Sequence, residues 1–383
     1  MERVTLSSIN QYVSATVNPA DTPEDLFELY SVPSYENQYP EIVKGKEIGS
    51  AKAVVQEGDV LICKINPKIN RVWVVKHNTE YPLLASSEWI VVRNSAINSN
   101  YLKWYFMSPF FRKLLTSQVA GIGGSLTRAQ PKQVAKYPVP IVELEKQEKI
   151  VNLLEKVNFV ISARQQQLAK LDELVKARFV EMFGDPLQNQ RGWPTKSLLE
   201  MGCCKNGMNF HADDSGIEIR CLGVGDFKDL SVIEGTTQLP MVSLGQKPSE
   251  ESMLHDGDIV FVRSNGNKNL VGRCVVVYPG TTPTTYSGFC IRYRLTCNDV
   301  MIPYLMCVLK SESTRSKMTG RGANIQNLNQ QILATLNVPI PPMECQQKFA
   351  DIVVKCDRAK LSIQKSLEQM ETLKKSLMQK YFG

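Results

Sequence analysis

The feature that most constrains this chain is an internal repeat. Residues 121–184 align without a gap on residues 320–383, at an offset of 199, with sixteen of 64 positions identical. The matches include Val139-Pro140-Ile141 with Val338-Pro339-Ile340, Glu145 with Glu344, Gln147 with Gln346, and Phe183-Gly184 with Phe382-Gly383. The same offset pairs Gly58-Asp59-Val60-Leu61 with Gly257-Asp258-Ile259-Val260, far upstream. One offset held over so long a stretch is the mark of a duplication. The chain therefore reads as two units, 1–184 and 185–383, and 383 residues suit about two domains.

Each unit closes on a long helix. In the first, apolar side chains recur at heptad spacing: Ile150, Leu154, Val157, Ile161, Leu168, Leu171, Val175 and Met182. Arg164 and Arg178 fill the two remaining seam positions. The second has Phe349, Val353, Cys356, Ile363, Leu367, Met370, Leu377 and Tyr381, interrupted by Lys360 and Lys374. A 3.5-residue apolar repeat predicts a coiled-coil seam. No Gly or Pro interrupts 143–183 or 343–382, and prolines stand just before both stretches. Some 40 residues would make a rod of about 60 Å. Polar seam residues either fix register and partner or snorkel to the edge of the rod, and both readings stay open here.

The parts before the helices, about 1–140 and 185–338, read as mixed α/β domains. Strands are expected at Val60–Ile65, Arg71–Val75, Trp89–Val92, Ile259–Arg263, Gly272–Tyr278 and Phe289–Arg294, which are short β-branched or aromatic runs. Helices are expected at Asn100–Ser117 and Pro303–Met318.

The formal net charge of +7 conceals an organised distribution. From Trp89 to Val142 there are seven basic residues and no acid, among them Arg93 and Arg128. From Val60 to Thr79 stand Lys64, Lys68, Arg71 and Lys76, again with no acid. The second unit matches this: Ile259–Asn298 holds Arg263, Lys268, Arg273, Arg292 and Arg294, and Ser313–Met343 adds Arg315, Lys317 and Arg321. Corresponding acid-free windows in both copies predict a phosphate-binding face. Within them, Arg263-Ser264-Asn265-Gly266-Asn267-Lys268 occupies the place of Lys64-Ile65-Asn66-Pro67-Lys68. Arg and Lys can read guanine, and Asn can read adenine. The glycine loops Gly121–Ser125 and Gly320–Asn324 are either phosphate cradles or plain turns.

Several function classes are excluded by missing motifs. There is no G-x-x-x-x-G-K-[ST] loop, no G-x-G-x-x-G fingerprint and no G-x-S-x-G elbow. No two of the ten cysteines are spaced C-x-x-C, which argues against a zinc ribbon, and their scatter predicts reduced thiols in a cytoplasm. His77, His211 and His255 show no metal or triad spacing, so no metal site is expected. No apolar run approaches the roughly 18 residues of a membrane helix, and no secretory signal is expected at the N-terminus. The pattern is that of a non-catalytic reader of DNA.

In its order of motifs the chain resembles the specificity (S) subunit of type I restriction–modification systems. The carriers are the two Val-Pro-Ile…Glu-x-Gln runs, the two Gly-Asp-hydrophobic runs, Arg263-Ser264-Asn265-Gly266, Leu270-Val271-Gly272-Arg273 and Phe183-Gly184-Asp185-Pro186. The first Val-Pro-Ile is followed by Val142-Glu143, where the family has Pro-Pro. The resemblance implies an α+β fold: two mixed α/β target-recognition domains separated by two long antiparallel coiled-coil helices, in a pseudo-twofold repeat. Its domains would be 1–140 and 185–338 for recognition, and 141–184 and 339–383 for the conserved spacer helices. Each recognition domain would read one half of a bipartite site in double-stranded DNA, the half-sites about 10 bp apart. The expected DNA-binding residues are Lys64, Asn66, Lys68, Arg71, Lys76, Arg93 and Arg128 in the first unit. In the second they are Arg263, Ser264, Asn265, Asn267, Lys268, Arg273, Arg292, Arg294 and Arg321. Two methyltransferase subunits and further restriction subunits would be partners, supplying S-adenosylmethionine, ATP and magnesium chemistry, while this subunit would hold no cofactor. The circular form of the repeat also places the two chain ends near each other. An S-like subunit of a system with fused methyltransferase and nuclease, or a coiled-coil scaffold without a DNA role, are the competing readings.

Overall fold

The computed structural model describes residues 2–117, 119–120, 127–210, 216–227, 230–319 and 327–383. Both glycine loops, His211 and Arg321 therefore lie outside the described residues. The chain divides into two compact units. The first comprises Met1–Gln166 and Gln364–Gly383, and the second Gln167–Ile363. This is not the division at residue 184 that the alignment gives, because each long helix begins in one unit and ends in the other.

The first unit holds a five-stranded and a three-stranded sheet. In the five-stranded sheet the order is Thr16–Val17, Lys52–Val54, Leu83–Ala85, Leu26–Tyr30 and Glu41–Lys44. In the three-stranded sheet Val60–Cys63 lies between Val72–Val74 and Trp89–Val92, antiparallel to both. Val60 and Ile62 pack with Trp104 and Tyr105, while Leu61 and Cys63 face Tyr30, Trp73 and Trp89. A strand covered on both faces has no polar alternation to keep, which is why it reads as the unbroken run Val-Leu-Ile-Cys. The second unit repeats this two-sided packing, with its central strand in a five-stranded sheet. Asp258–Val262 lies between Cys274–Tyr278 and Cys290–Leu295, with Ile259 and Phe261 facing one core and Val260 and Val262 the other.

The Gly-Asp pairs mark the same turn in both units. Gly58 and Gly257 have φ of 88° and 86°, the left-handed region that favours glycine. The following carboxylates accept N–H groups three residues back, Gln56 to Asp59 Oδ2 at 2.9 Å and His255 to Asp258 Oδ2 at 2.7 Å. The expected helices Asn100–Ser117 and Pro303–Met318 are each two short ones. They run Ser99–Phe106 then Pro109–Ser117, and Ile302–Lys310 then Glu312–Thr319. In the first, Pro109 breaks the ladder and fits only as a helix start.

The glutamine of each Glu-x-Gln run is structural. Gln147 Oε1 accepts the Asn98 N–H at 2.9 Å, and its Nε2 donates to Val142 O at 2.7 Å. Gln346 does the same with Met301 N–H at 2.8 Å and Pro341 O at 2.9 Å. Each glutamine thus ties the start of a long helix to the helical pair of its unit. Gln346 is fully buried and also donates to Asp299 O at 2.9 Å, so Gln346→Leu would take this partner from the Met301 N–H and the Pro341 and Asp299 carbonyls. It should lower stability by about 1–3 kcal/mol, read as a fall in the urea midpoint at unchanged slope.

The long helices are Leu144–Phe183 and Met343–Phe382, each of 40 residues. Their segments within each unit run antiparallel. In the first unit Lys374 Nζ donates to Asn158 Oδ1 at 2.6 Å, and Met378 and Phe382 reach the cluster holding Ile150 and Leu154. In the second, Lys360 Nζ is 2.6 Å from Asp172 Oδ1, and Phe179 and Phe183 pack on Phe349 and Tyr304. At the first helix's start Ile150, Leu154, Val157 and Ile161 are buried. By its end the buried positions are Phe179 and Phe183, one residue on from Arg178 and Met182. An α-helix drifts by about 20° per heptad against a 3.5-residue repeat, so between four and five heptads shift the stripe by roughly one residue. Arg178 accordingly pairs with Glu181 on its own helix at 2.6 Å, half-exposed, instead of filling the seam. Arg3 Nη2 donates to Gly383 O at 2.7 Å, which brings the two ends of the chain together as the repeat implied.

Candidate nucleic-acid interface

In each unit the central strand of the doubly covered layer runs out into one basic loop. Lys64 follows Val60–Cys63, and Arg263 follows Asp258–Val262. The backbone of both residues is held by the same three-part arrangement. Lys64 N–H donates to Glu88 O at 3.0 Å and its carbonyl accepts Ala129 N–H at 2.8 Å. Arg263 N–H donates to Phe289 O at 2.8 Å and its carbonyl accepts Leu328 N–H at 2.8 Å. The next residues, Ile65 and Ser264, bridge Arg128 and Asn327. Equivalent positions in the two copies thus present a long cation from a fixed backbone.

The first loop then turns through Asn66 and Asn70, whose φ angles of 44° and 52° are left-handed, a conformation asparagine tolerates better than most residues. Asn66 N–H reaches Thr127 O at 2.9 Å, and Asn70 Nδ2 reaches Phe106 O at 3.0 Å. Lys68 is exposed at the tip, its carbonyl receiving the Arg112 guanidinium. Lys76 is exposed at the end of the neighbouring strand, where Tyr30 Oη donates to its carbonyl at 2.6 Å. Among the described residues no partner lies on the ammonium groups of Lys64, Lys68 or Lys76. Arg71 and Arg128 are partly neutralised, Arg71 by Glu36 and Arg128 by Glu88, each at 3.2 Å.

In the second loop, Asn265 Oδ1 accepts Asn267 N–H at 2.8 Å, and Asn267 Oδ1 accepts Asn269 N–H at 3.1 Å. Both side-chain oxygens therefore shape the turn. Ser264 and Arg273 are half-buried and Lys268 is exposed. Arg263 Nη1 lies 3.5 Å from Gly288 O.

Three expected DNA-binding residues take other places. Arg93 Nε and Nη2 donate to Asp59 Oδ1 and Oδ2, both at 2.7 Å, with the carboxylate fully buried. Arg294 makes the same fork to Asp258, both bonds at 2.8 Å. Donating to its aspartate holds each guanidinium further into the charged form. These forks occupy the edges that would otherwise address a base, so both arginines are structural. Arg292 is 3% exposed on its strand, with Nη1 3.9 Å from Cys203 Sγ, and does not reach the surface. The sequence reading missed these partners because Asp59 and Asp258 stand one residue outside the acid-free windows.

The reading also missed a matching pair of β-turns that support the two cations. Trp89 N–H closes on Ser86 O at 3.2 Å, and Cys290 N–H on Ser287 O at 2.8 Å. Among the described residues no group of His, Cys, Asp and Glu could hold a metal ion, and no helix is long and apolar enough to cross a membrane.

The chain is similar to several known proteins. Residues 232–372 match the family described as the type I restriction modification DNA specificity domain. The type I restriction enzyme StySPI specificity subunit of Salmonella potsdam is 24% identical over 311 residues, 75% of this chain and 65% of the relative. The chain thus matches slightly less than two thirds of that relative's length. The putative MjaX specificity subunit of Methanocaldococcus jannaschii is 20% identical over 370 residues, covering 89% of this chain and 80% of the relative. In fold, a chain from a solved structure concerned with complex assembly and conformational transition of the type I R-M system superposes with a TM-score of 0.62. It is 17% identical, with 100% of this chain and 97% of that one covered. The duplicated motifs, the mixed helix-and-sheet units and these likenesses agree: the chain is similar to type I restriction–modification specificity subunits.

Proposed function

We propose that the chain confers DNA sequence specificity on a type I restriction–modification complex. The observation that carries this reading is the pair Lys64 and Arg263, which two non-identical units present from one and the same backbone arrangement. Two different readers on one chain fit a bipartite, asymmetric site. Lys64, Asn66, Lys68, Lys76 and Arg128 address one half-site, and Arg263, Ser264, Asn265, Asn267, Lys268 and Arg273 address the other. Arg71 and Arg321 contact phosphate. The long helices serve as the spacer that sets the separation of the half-sites. Two methyltransferase subunits bind the chain and bring S-adenosylmethionine, and restriction subunits bring ATP and magnesium. The chain itself contributes recognition and no chemistry.

Phosphate contact makes a sharp claim on salt dependence. Each neutralised phosphate adds about −0.9 to the slope of log Kobs against log salt for duplex DNA. The full chain in complex with its methyltransferase subunits should show a steep negative slope, and Lys68→Ala should make it shallower by about 1. A flat salt response would leave a scaffold without a DNA role as the better account.

A further inference from the structure

The position that supports the reading cation differs sharply between the two units. In the first unit it is Glu88, in the turn Ser86-Ser87-Glu88-Trp89. In the second it is Phe289, in the turn Ser287-Gly288-Phe289-Cys290. The frames are the same. Glu88 N–H and Phe289 N–H each lie 3.3 Å from the hydroxyl of the serine two residues back. Each carbonyl receives the N–H of the neighbouring cation, Lys64 or Arg263. The side chains have nothing in common. Glu88 pairs with Arg128, whereas Asn327 stands at the matching place in the second unit. Phe289 is 62% exposed.

A single exposed apolar residue needs no special explanation. Phe289 differs from the others in how it is held. Gly288 N–H donates to Met208 O at 2.7 Å, and a Cβ on Gly288 would collide with Asn209, so the turn is pinned from behind. The Phe289 carbonyl carries two N–H groups, from Arg263 at 2.8 Å and Ser264 at 3.3 Å. The backbone of an exposed phenylalanine is thus fixed beside that of Arg263, on the face assigned above to DNA. On the base edges of a duplex major groove the only apolar group is the 5-methyl of thymine.

We propose that Phe289 is a specificity-determining residue whose ring packs against a thymine methyl in the half-site read by the second unit. The inference rests on the DNA-specificity reading and deepens it. It makes the 88/289 position one source of the difference between the two half-sites.

The test uses the full chain with its methyltransferase subunits and duplexes bearing the mapped recognition site. Deoxyuridine, which lacks only the methyl, replaces the thymines of one half-site at a time. Wild type should lose about fourfold in affinity for the methyl that Phe289 covers, from the transfer free energy of one buried carbon. The loss should arise only in the half-site assigned to Arg263. Phe289→Ala should bind the thymine duplex more weakly and show no further loss with deoxyuridine, while Phe289→Leu should keep part of the discrimination. Equal wild-type binding of thymine and deoxyuridine duplexes would overturn the proposal, as would undiminished discrimination in Phe289→Ala. A 2-aminopurine fluorescence rise on binding that vanishes in Phe289→Ala would also overturn it, because the ring would then be a wedge between bases. If wild type does not distinguish the mapped site from a scrambled duplex, the DNA-specificity reading itself fails.

Discussion

Asp258→Ala should cost the second unit about 3–5 kcal/mol, and Asp59→Ala should do the same to the first. The reason lies in what each substitution leaves behind. Asp59 and Asp258 have side chains 0% and 1% exposed, and each accepts two guanidinium bonds as well as a turn N–H. Without the carboxylate, Arg93 or Arg294 becomes a partly buried cation with no counter-charge, and the turn that launches the central strand loses its cap. Domains are stable by only about 5–15 kcal/mol, so the loss is a large share of the total. Urea unfolding of the full chain should show one early transition for each variant, in a different unit in each case. The exposed pair Lys149–Glu145 is the control, and Glu145→Ala should leave both transitions in place. A change below about 1 kcal/mol in Asp258→Ala would mean that Arg294 is well solvated without its partner, and it would return that arginine to the candidate readers.

The central strands and the long helices were legible because their signals are local. A strand buried on both faces writes itself as four or five consecutive apolar residues, and a helix without Gly or Pro writes itself as periodicity. The interactions that close each unit were not legible. Asp59 and Asp258 obey the offset of 199, but their partners Arg93 and Arg294 are 201 apart, and the N–H groups that Gln147 and Gln346 hold belong to Asn98 and Met301, 203 apart. Insertions in the intervening loops break the alignment while the fold keeps the contact. The charge windows carried a real pattern with mixed contents. Excluding acids from a stretch of sequence does not exclude them from its neighbourhood, and Arg93 and Arg294 were already committed to carboxylates. Lys64 and Arg263 stayed on the surface because each follows the last residue of its central strand.

Replacing the equivalent cations should divide the recognition site in two. Lys64 and Arg263 sit on matching backbones in different units, so Lys64→Ala and Arg263→Ala should each relax one half-site and leave the other strict. A lost contact from Arg or Lys to a guanine edge is worth about 1–3 kcal/mol of discrimination, roughly fivefold to more than a hundredfold at the affected base. Both residues lie outside the buried cores, so neither variant should shift the unfolding transitions as the aspartate variants do. Genome-wide mapping of methylated bases in cells expressing wild type, Lys64→Ala or Arg263→Ala, each with the methyltransferase subunits, measures this directly. The account predicts a bipartite motif in wild type that degenerates on one side in one variant and on the opposite side in the other. Relaxation of the same half in both variants, or an unchanged motif in both, would contradict it.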